Sequence, residues 1–436
     1  MNFIYLITSV IGGGYSVSFL AGEGCCIMAI KIHNVLVLTS IYPASDIGKE
    51  ITPVVHYFTK EWIKLGYNVV VVHYPSNFPQ LMTFVASFFR KQISSKTGAV
   101  IRTEALRETE YVLDGVRVKR LPLLKYIPHK RYSNRKINNA FRKTVEFLSE
   151  IDFTPDVIIS HWSNPQLEIM KLLKKVFKVP TCYVAHLNGN DILKLYSLKH
   201  ANDILNDIDV IGFRSEYIKK HFLEIFSCKT PNFQCYSGIP DTYIEPNITR
   251  KYDKINSFIY VGTLIERKYP SRVVPAVYKA FKNENFSISY IGRGDEDKNI
   301  IALAKEYNIV DKVHLLGFMD RKSVVEHLKR NDVFIMISKK ETFGLVYLEA
   351  MAVGCITIAS RHEGFDGIIQ DGVNGFLCEA GNSEELAEII LKIKAKTSTE
   401  LNRISQNAID TAKKYTEMKV AKNYIESIES QITNIN

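Results

Sequence analysis

This chain of 436 residues contains two separate stretches in which patterns of buried strands alternate with patterns of amphipathic helices. In the first half, the apolar run HNVLVLTS at 33–40 is followed by the helical pattern VVHYFTKEWIKLGY and by a second apolar run, NVVVVHY. The alternation restarts at SFIYVG, from Ser257, and continues through runs such as DVFIMIS. Continuous apolar strands between amphipathic helices are typical of parallel sheets covered on both faces. The sequence therefore predicts an α/β chain of two doubly wound, Rossmann-like domains.

The boundaries of these domains follow from a change in composition. The segment CYSGIPDTYIEPNITRKYDK, 235–254, is rich in turn-forming residues and then in charges, as expected of a linker. We predict an amino-terminal domain at 28–245, a carboxyl-terminal domain at 246–404, and a last helical region at 405–436 that can pack back on the first domain. The Gly-rich start has neither the basic residues of a signal peptide nor the long apolar run of a spanning helix. We therefore expect translation to start at Met28 and residues 1–27 to lie outside the fold.

Composition argues against several classes of protein. The seven cysteines show neither Cys-x-x-Cys nor Cys/His ligand spacing, so a zinc site or a disulfide framework is not expected, and a reducing cytoplasm is favoured. The net charge of +10 suits an anionic partner, such as a phosphorylated substrate, a phospholipid headgroup or nucleic acid. Because no aromatic and basic strand platform or helix-turn-helix pattern is present, nucleic acid is not the expected partner.

The segment KKETFGLVYLEAMAVG, 339–354, carries the strongest chemical signal. A Thr-Phe-Gly turn separates a strand pattern from a helix pattern that begins at Leu345. The free N–H groups of a helix N-terminus suit a pyrophosphate, and Gly344 allows a close approach of the backbone. Glu349, one turn into the helix, can accept hydrogen bonds from a ribose diol, and Glu341 can bind sugar hydroxyls. The plainer alternative is an acidic cap followed by an exposed helical glutamate.

This segment resembles the signature of glycosyltransferase family four, which comprises retaining enzymes of the GT-B fold with a Glu-x7-Glu motif. Residues from Val35 onward follow that family's order of motifs, most closely in the carboxyl-terminal half. The resemblance implies contacts to the sugar and phosphates from Glu341, Phe343, Gly344 and Leu345, and to the ribose from Glu349. It also implies front-face attack assisted by the leaving phosphate, in which the protein supplies orientation and charge stabilisation. No metal or other cofactor is expected beside the nucleotide-sugar donor.

The segment YVGTLIERKYP, 260–270, resembles the family's phosphate clamp, which is normally Gly-Arg followed five residues later by Lys. Lys268 fits the lysine position and would neutralise the leaving diphosphate, whereas Thr263 stands where the arginine is usual. Either Arg267 supplies the missing charge or one cation suffices. A surface lysine in a loop is the alternative for Lys268.

Four further residues are placed at the donor site by the same order of motifs. They are Gly48 near the diphosphate, His186 beside the donor sugar, Gly292 along the nucleotide pocket and Met319 near the base. Each also has a plainer explanation, namely a tight turn, an apolar strand end or a hydrogen-bonded structural histidine. The residues expected to act in the reaction itself are His186, Glu341 and Lys268. Glu363 could edge the sugar pocket, and His161 could help to bind the acceptor.

The segment FPQLMTFVASFFRKQISSK, 78–96, has apolar residues at helical spacing and a cationic end. This pattern suits shallow insertion into an anionic membrane, although a helix packed on its own domain explains it equally well. Family members that build envelope polysaccharide or glycolipid often carry such a helix. The predicted function is transfer of a sugar from a UDP- or GDP-linked donor to a glycan or lipid-linked acceptor in cell-envelope polysaccharide biosynthesis. We expect a cytoplasmic protein, peripheral at the inner face of the membrane. A non-catalytic sugar-binding scaffold and a nucleotide-sugar epimerase are the alternatives.

Overall fold

The structure is a computed structural model, which describes residues 31–47, 52–79, 105–127, 130–244, 250–282 and 284–433. Gly48, the segment 1–27 with the start expected at Met28, and most of the helix expected at 78–96 lie outside these residues. The expectations for those segments stay predictions. Within the described ranges, no helix is both long enough and apolar enough to cross a membrane.

The amino-terminal domain is built on a large, mostly parallel sheet. Its strands are β1 (Asn34–Thr39), β2 (Asn68–His73), β3 (Ser76–Asn77), β4 (Thr109–Leu113), β5 (Val116–Arg120), β6 (Leu123–Leu124), β7 (Val157–His161), β8 (Thr181–Ala185), β9 (Val210–Phe213) and β10 (Asn232–Gln234). Eight of them form one sheet in the order β10-β9-β8-β7-β1-β2-β5-β4, while β3 pairs with β6. The β4–β5 pair alone is antiparallel among these described strands.

Helices cover both faces of this sheet, which is why its central strands are apolar throughout. The helices are α1 (Val54–Lys64), α2 (Asn134–Glu150), α3 (Gln166–Phe177), α4 (Asn190–Leu193), α5 (Leu198–Leu205) and α6 (Glu216–Ile225). Every residue of β7, β8 and β9 is buried. A strand buried on both sides gains nothing from alternation, so its sequence reads as one apolar run.

The carboxyl-terminal domain repeats this plan on a smaller sheet. Its strands are β11 (Ser257–Val261), β12 (Ser287–Ile291), β13 (Val313–Gly317), β14 (Val333–Met336), β15 (Ile356–Ser360) and β16 (Phe376–Cys378). They are parallel, in the order β13-β12-β11-β14-β15-β16. Its helices are α7 (Val273–Phe281), α8 (Asp297–Glu306), α9 (Arg321–Arg330), α10 (Leu345–Ala352), α11 (Ser383–Lys394) and α12 (Ser398–Ala412). The prediction of two doubly wound domains is confirmed.

The last helix, α13 (Glu417–Thr433), returns to the amino-terminal domain. It packs against α1, where the indole Nε1 of Trp62 donates to the carbonyl oxygen of Ala421 at 2.8 Å. Ile425 and Ile428 are fully buried in the same core cluster as Trp62. The preceding helix, α12, instead packs on α10 of the carboxyl-terminal domain. The region expected at 405–436 is thus the end of one helix plus a second helix, and these two helices serve different domains.

Candidate active site

The carboxyl ends of both sheets face each other, so the loops after the strands of one domain meet those of the other. The Thr342 hydroxyl, in the loop after β14, donates to the carbonyl oxygen of His186, after β8, at 3.5 Å. The guanidinium of Arg214, after β9, lies 5.9 Å from the ring centre of Phe343. Ligands of open α/β sheets bind at such carboxyl edges. The cleft between the domains is therefore the candidate site.

Glu341 lies in this cleft and pairs with Lys268. Its Oε2 atom is 3.0 Å from the Lys268 ammonium, and the Ser338 hydroxyl donates to the same oxygen at 3.4 Å. Burial acts to raise the pKa of Glu341, but Lys268 and then Arg267 outweigh burial and hold the pKa below its usual value. The carboxylate is therefore ionised at neutral pH, and it can accept hydrogen bonds from hydroxyl groups.

The turn that carries Glu341 is fixed by close backbone packing. The Glu341 N–H donates to Oε2 of Glu363 at 3.1 Å, so the Glu363 carboxylate holds the backbone of the turn. A Cβ atom on Gly364 would lie 2.3 Å from the carbonyl oxygen of Glu341, which leaves room only for glycine. Gly344 has φ of +84°, and a Cβ atom there would lie 2.5 Å from the ring of Tyr347. The loop therefore packs closely against the Gly364 backbone and the Tyr347 ring, and side chains at these two glycines would disturb it.

Phe343 and Leu345 flank the start of α10. The Phe343 side chain is buried between the rings of Tyr236 and Phe365, at centroid distances of 5.6 Å to each. Leu345 is the first helical residue and is partly buried. The first N–H groups of a helix lack intrahelical partners, so the N-terminus of α10, directly after the loop of Glu341, offers donors and a positive dipole end of the kind that an anion site requires.

Glu349 lies on α10 but is already paired with a cation. Its side chain is 6% exposed, and its Oε1 atom accepts a hydrogen bond from Nε of Arg321, the first residue of α9. Burial raises the pKa of Glu349, and the Arg321 guanidinium opposes that rise. The Arg321 Nη2 atom is buried and has no hydrogen-bond partner. Glu349 thus has one oxygen held by the protein and one available for a ligand.

Arg321 also links the two domains through α13. Its Nη1 atom is 3.4 Å from Oε1 of Glu417, whose Oε2 atom is 2.6 Å from the ammonium of Lys60 on α1. The Arg321 guanidinium also lies over the rings of Tyr57 and Tyr243, at 5.1 and 5.4 Å from their centroids. A chain of alternating charges therefore runs from Glu349 to the amino-terminal domain.

His186 is buried at the end of β8 and is joined to His161, at the end of β7. His186 Nε2 lies 2.9 Å from Nδ1 of His161, whose Nε2 lies 3.3 Å from the hydroxyl of Tyr424 on α13. The His186 ring also stacks on Trp162 at 4.1 Å. Burial, with the positive charge of Arg214, lowers the pKa of His161 to about 3, and burial lowers that of His186 well below its usual value. Both imidazoles are therefore neutral.

The three residues of the expected phosphate clamp differ in burial. Lys268 is partly buried beside Glu341, whereas Arg267 is exposed and donates to the carbonyl oxygen of Lys339 at 3.3 Å. Thr263, at the position where the resemblance expects arginine, is exposed at the same cleft edge. Lys268 is thus held against Glu341, whereas the exposed Arg267 side chain is held by one hydrogen bond to a backbone carbonyl.

The glycines after β12 are required by a neighbouring loop. A Cβ atom on Gly292 would lie 1.9 Å from the carbonyl oxygen of Gly262, and one on Gly294 would lie 2.0 Å from that of Leu264. The loops after β11 and β12 therefore pack backbone to backbone. Met319, after β13, is partly buried against the core of the same domain, while Phe318 beside it is 60% exposed.

Sequence reasoning missed Arg321, Tyr424 and Arg214. The Arg214 side chain is buried between the rings of Phe58 and Phe343, and it donates to the carbonyl oxygen of Cys235 at 2.6 Å. The position of Arg214 directly after an apolar strand was the only sequence feature that could have indicated a role for it. Arg321 and Tyr424 look like ordinary helical residues, because their partners lie 28 and 263 residues away in the chain.

The chain is similar in sequence to known glycosyltransferases. Residues 241–411 match the family model of glycosyl transferases group 1. The N-acetyl-alpha-D-glucosaminyl L-malate synthase of Bacillus anthracis is 28% identical over 249 residues, which cover 55% of this chain and 65% of the relative. The lipopolysaccharide core biosynthesis glycosyltransferase LpsE of Rhizobium meliloti is 30% identical over 138 residues, which cover 32% of this chain and 39% of LpsE. The matched part of the chain thus spans slightly less than two thirds of the length of the first relative and well under half of the length of LpsE.

The fold is shared with solved structures along nearly the whole chain. The crystal structure of HepE from Anabaena in complex with UDP superposes with a TM-score of 0.65 at 17% identity, covering 91% of this chain and all of that one. The predicted GT-B fold is therefore confirmed, as is the resemblance to glycosyltransferases at the level of the group. The match to the model of group 1 glycosyl transferases covers residues 241–411, which include the carboxyl-terminal domain of this GT-B fold.

Proposed function

We propose that this protein is a retaining, metal-independent glycosyltransferase of family four that transfers a sugar from a nucleotide-sugar donor. The observation that carries the proposal is the pair of glutamates around the start of α10. Glu341 is ionised beside Lys268 in the loop just before α10, and Glu349, one turn into α10, has one oxygen available for a ligand. A sugar diphosphate at the helix start would meet the first carboxylate with its sugar and the second with its ribose.

The charges at the site suit the departure of a diphosphate. Negative charge grows on the diphosphate as the sugar leaves, and a fixed cation in a cleft stabilises that charge most at this moment. Lys268 is the cation in the right place, with the N-terminus of α10 beside it. In the mechanism that we propose, the acceptor attacks from the face that the diphosphate leaves. A phosphate oxygen then takes the acceptor's proton, and no protein nucleophile is used.

A uracil-containing donor is the first to test, because HepE, which shares the fold, was crystallised with UDP. Purified protein would be incubated with UDP-glucose, UDP-N-acetylglucosamine and GDP-mannose, each with an alkyl glycoside as surrogate acceptor, with and without EDTA, and nucleoside diphosphate release would be measured. Glu341→Ala is the matched inactive variant. We expect release that requires Glu341 and persists in EDTA, and product analysis by NMR should find the α-anomeric configuration of the donor retained. Tight UDP binding without any release would instead indicate a non-catalytic scaffold.

We propose that the acceptor is a lipid-linked molecule or glycan of the cell envelope, used at the cytoplasmic face of the membrane. Support comes from LpsE, which by its name acts in lipopolysaccharide core biosynthesis, and from exposed apolar residues at the end of β6 and in the loop that follows. Leu124, Tyr126 and Ile127 are 39%, 60% and 51% exposed, and the Lys136 ammonium lies 4.8 Å from the Tyr126 ring centre. Apolar tips beside cations suit an anionic bilayer surface.

Vesicle binding tests this second proposal separately. The chain should sediment with vesicles containing anionic phosphatidylglycerol and should remain free of neutral phosphatidylcholine vesicles. Two double variants, Tyr126→Ser with Ile127→Ser, and Phe88→Ser with Phe89→Ser, should each weaken sedimentation while leaving UDP affinity unchanged. Val112→Ser, on an edge strand where Val112 is 64% exposed, is the control. Full retention of both double variants would show that neither segment contacts the bilayer, and a native chain that does not sediment with anionic vesicles would argue against a membrane surface as partner.

A further inference from the structure

We propose that Tyr424 and His161 are positioning residues that fix the proton of His186, so that His186 presents an Nδ1–H donor to the cleft. The inference rests on the proposed function in one respect, since a donor sugar beside His186 is part of that proposal. The arrangement of the protons does not depend on it.

The three side chains form an unbroken hydrogen-bonded row. The Tyr424 hydroxyl lies 3.3 Å from His161 Nε2, and His161 Nδ1 lies 2.9 Å from His186 Nε2. All three side chains are buried or nearly so, and His186 is 8% exposed. Within the described part of the chain, His186 Nδ1 makes no hydrogen bond. It is therefore the ring nitrogen that can meet a ligand.

Only two proton arrangements satisfy this row. A neutral imidazole has one N–H donor and one bare nitrogen acceptor, so the state of one end determines the other. If Tyr424 donates to His161 Nε2, then His161 Nδ1–H donates to His186 Nε2, and His186 carries its proton on Nδ1. If Tyr424 accepts instead, every donor reverses and His186 Nδ1 is bare.

The first arrangement is favoured by the chemistry of the end group. A phenol O–H is a stronger donor than an imidazole N–H, and an imidazole nitrogen is a stronger acceptor than a phenol oxygen. In the reversed arrangement the tyrosine proton would have to go to a thiol, either Cys182 or Cys235, which is a weak acceptor. Both imidazoles are neutral because burial and Arg214 disfavour a second proton. The row therefore holds one donor that points into the cleft.

Tyr424 reaches this position only because α13 returns to the amino-terminal domain. Its ring packs against Phe58 and Trp62 of α1 at centroid distances of 5.1 Å. The hydroxyl is therefore placed by a helix that follows the carboxyl-terminal domain in the chain, while the histidines end two strands of the other domain. An N–H donor at a sugar oxygen or at the leaving phosphate stabilises the transition state only if its orientation is set before the reaction.

The proton arrangement can be measured without any substrate. In protein labelled with ¹⁵N-histidine, the protonated and bare nitrogens of a neutral ring have well-separated chemical shifts, and substitution assigns each of the 11 histidines. We expect the proton of His186 on Nδ1 in the native protein. In Tyr424→Phe at least part of it should move to Nε2, because nothing then requires His161 Nε2 to stay bare. Tyr74→Phe is the matched control, since that buried hydroxyl bonds Thr144 at 2.6 Å in the same domain.

Kinetics then test the role in transfer. With the donor that the native protein turns over fastest, Tyr424→Phe should lower kcat about tenfold, the range expected for one misdirected hydrogen bond, while the Kd of UDP changes less than about twofold. Tyr74→Phe should leave both values unchanged. A native His186 protonated on Nε2, or a Tyr424→Phe spectrum like the native one, would overturn the inference. A moved proton with unchanged kcat would overturn the positioning role. If the native protein turns over no donor, the proposed function fails, while the spectra still decide the proton arrangement.

Discussion

Replacing Arg321 by methionine tests whether this arginine supports Glu349 as a nucleotide ligand. The substitution keeps the apolar length of the side chain but removes the cation from a carboxylate whose side chain is only 6% exposed. Glu417 keeps its other partner, because its second oxygen lies 2.6 Å from Lys60. The effect should therefore concentrate on Glu349.

The size of the effect follows from burial. Breaking a fully buried ion pair costs about 3–5 kcal/mol, because a charge is left without a partner. The Arg321 side chain is 26% exposed, so solvent screens part of the attraction, and we expect a loss of about 2–3 kcal/mol in the free energy of unfolding. Adding Glu349→Gln should recover most of that loss, since the uncompensated carboxylate is then gone. Arg361→Met, which breaks the more exposed pair with Glu385, should cost less than about 1 kcal/mol.

Nucleotide binding gives a second and independent signal. Without Arg321, nothing opposes the burial that raises the pKa of Glu349, so the carboxyl stays protonated to a higher pH. Titration calorimetry with UDP from pH 6 to 9 should therefore find weaker binding by Arg321→Met at the acid end and recovery as pH rises, with a much flatter profile for the native protein. Tighter binding by Arg321→Met at every pH would refute the reasoning, because Arg321 would then compete with the ribose for Glu349.

Three other predictions concern the same cleft. In a nucleotide-release assay, Lys268→Ala should lower turnover by about 10²–10³-fold, the range for removing one preorganised charge-stabilising group. Because the Arg267 side chain is exposed, Arg267→Ala should lower turnover by less than about threefold. Glu341→Ala should abolish transfer yet bind UDP within about twofold of the native protein in calorimetry; comparable transfer by the two proteins would remove Glu341 from the site. The pKa of His161 falls to about 3 on folding, so below pH 6.5 the unfolded chain binds a proton that the folded chain does not. The free energy of unfolding in urea should therefore fall by about 1.3 kcal/mol between pH 7 and pH 5.5 and should not depend on His161 at higher pH. That part of the slope should vanish in His161→Asn.

The sequence by itself determined the architecture and predicted which residues meet at the cleft. The strands could be read because a strand buried on both faces must be continuously apolar, and this is a local property of the chain. The loop from Glu341 to Gly344 could be read for the same reason, since a strand end, a turn and a helix start follow one another within a few residues. A backbone of that shape places its glutamates and free N–H groups whatever surrounds it.

Tertiary structure alone decided which groups those residues meet. Whether Glu349 stands free or paired depends on Arg321, and the proton on His186 depends on Tyr424, which lies 263 residues from His161 in the chain. Contacts over such distances leave no periodicity or spacing in the sequence, because they arise only when separate elements pack. The sequence could suggest that the last region returns to the first domain, but only packing decided that α13 brings a hydroxyl to the histidines. The residues proposed to bind can be predicted from local sequence, whereas the residues that orient them are fixed by the fold, because orientation requires partners from elsewhere in the chain.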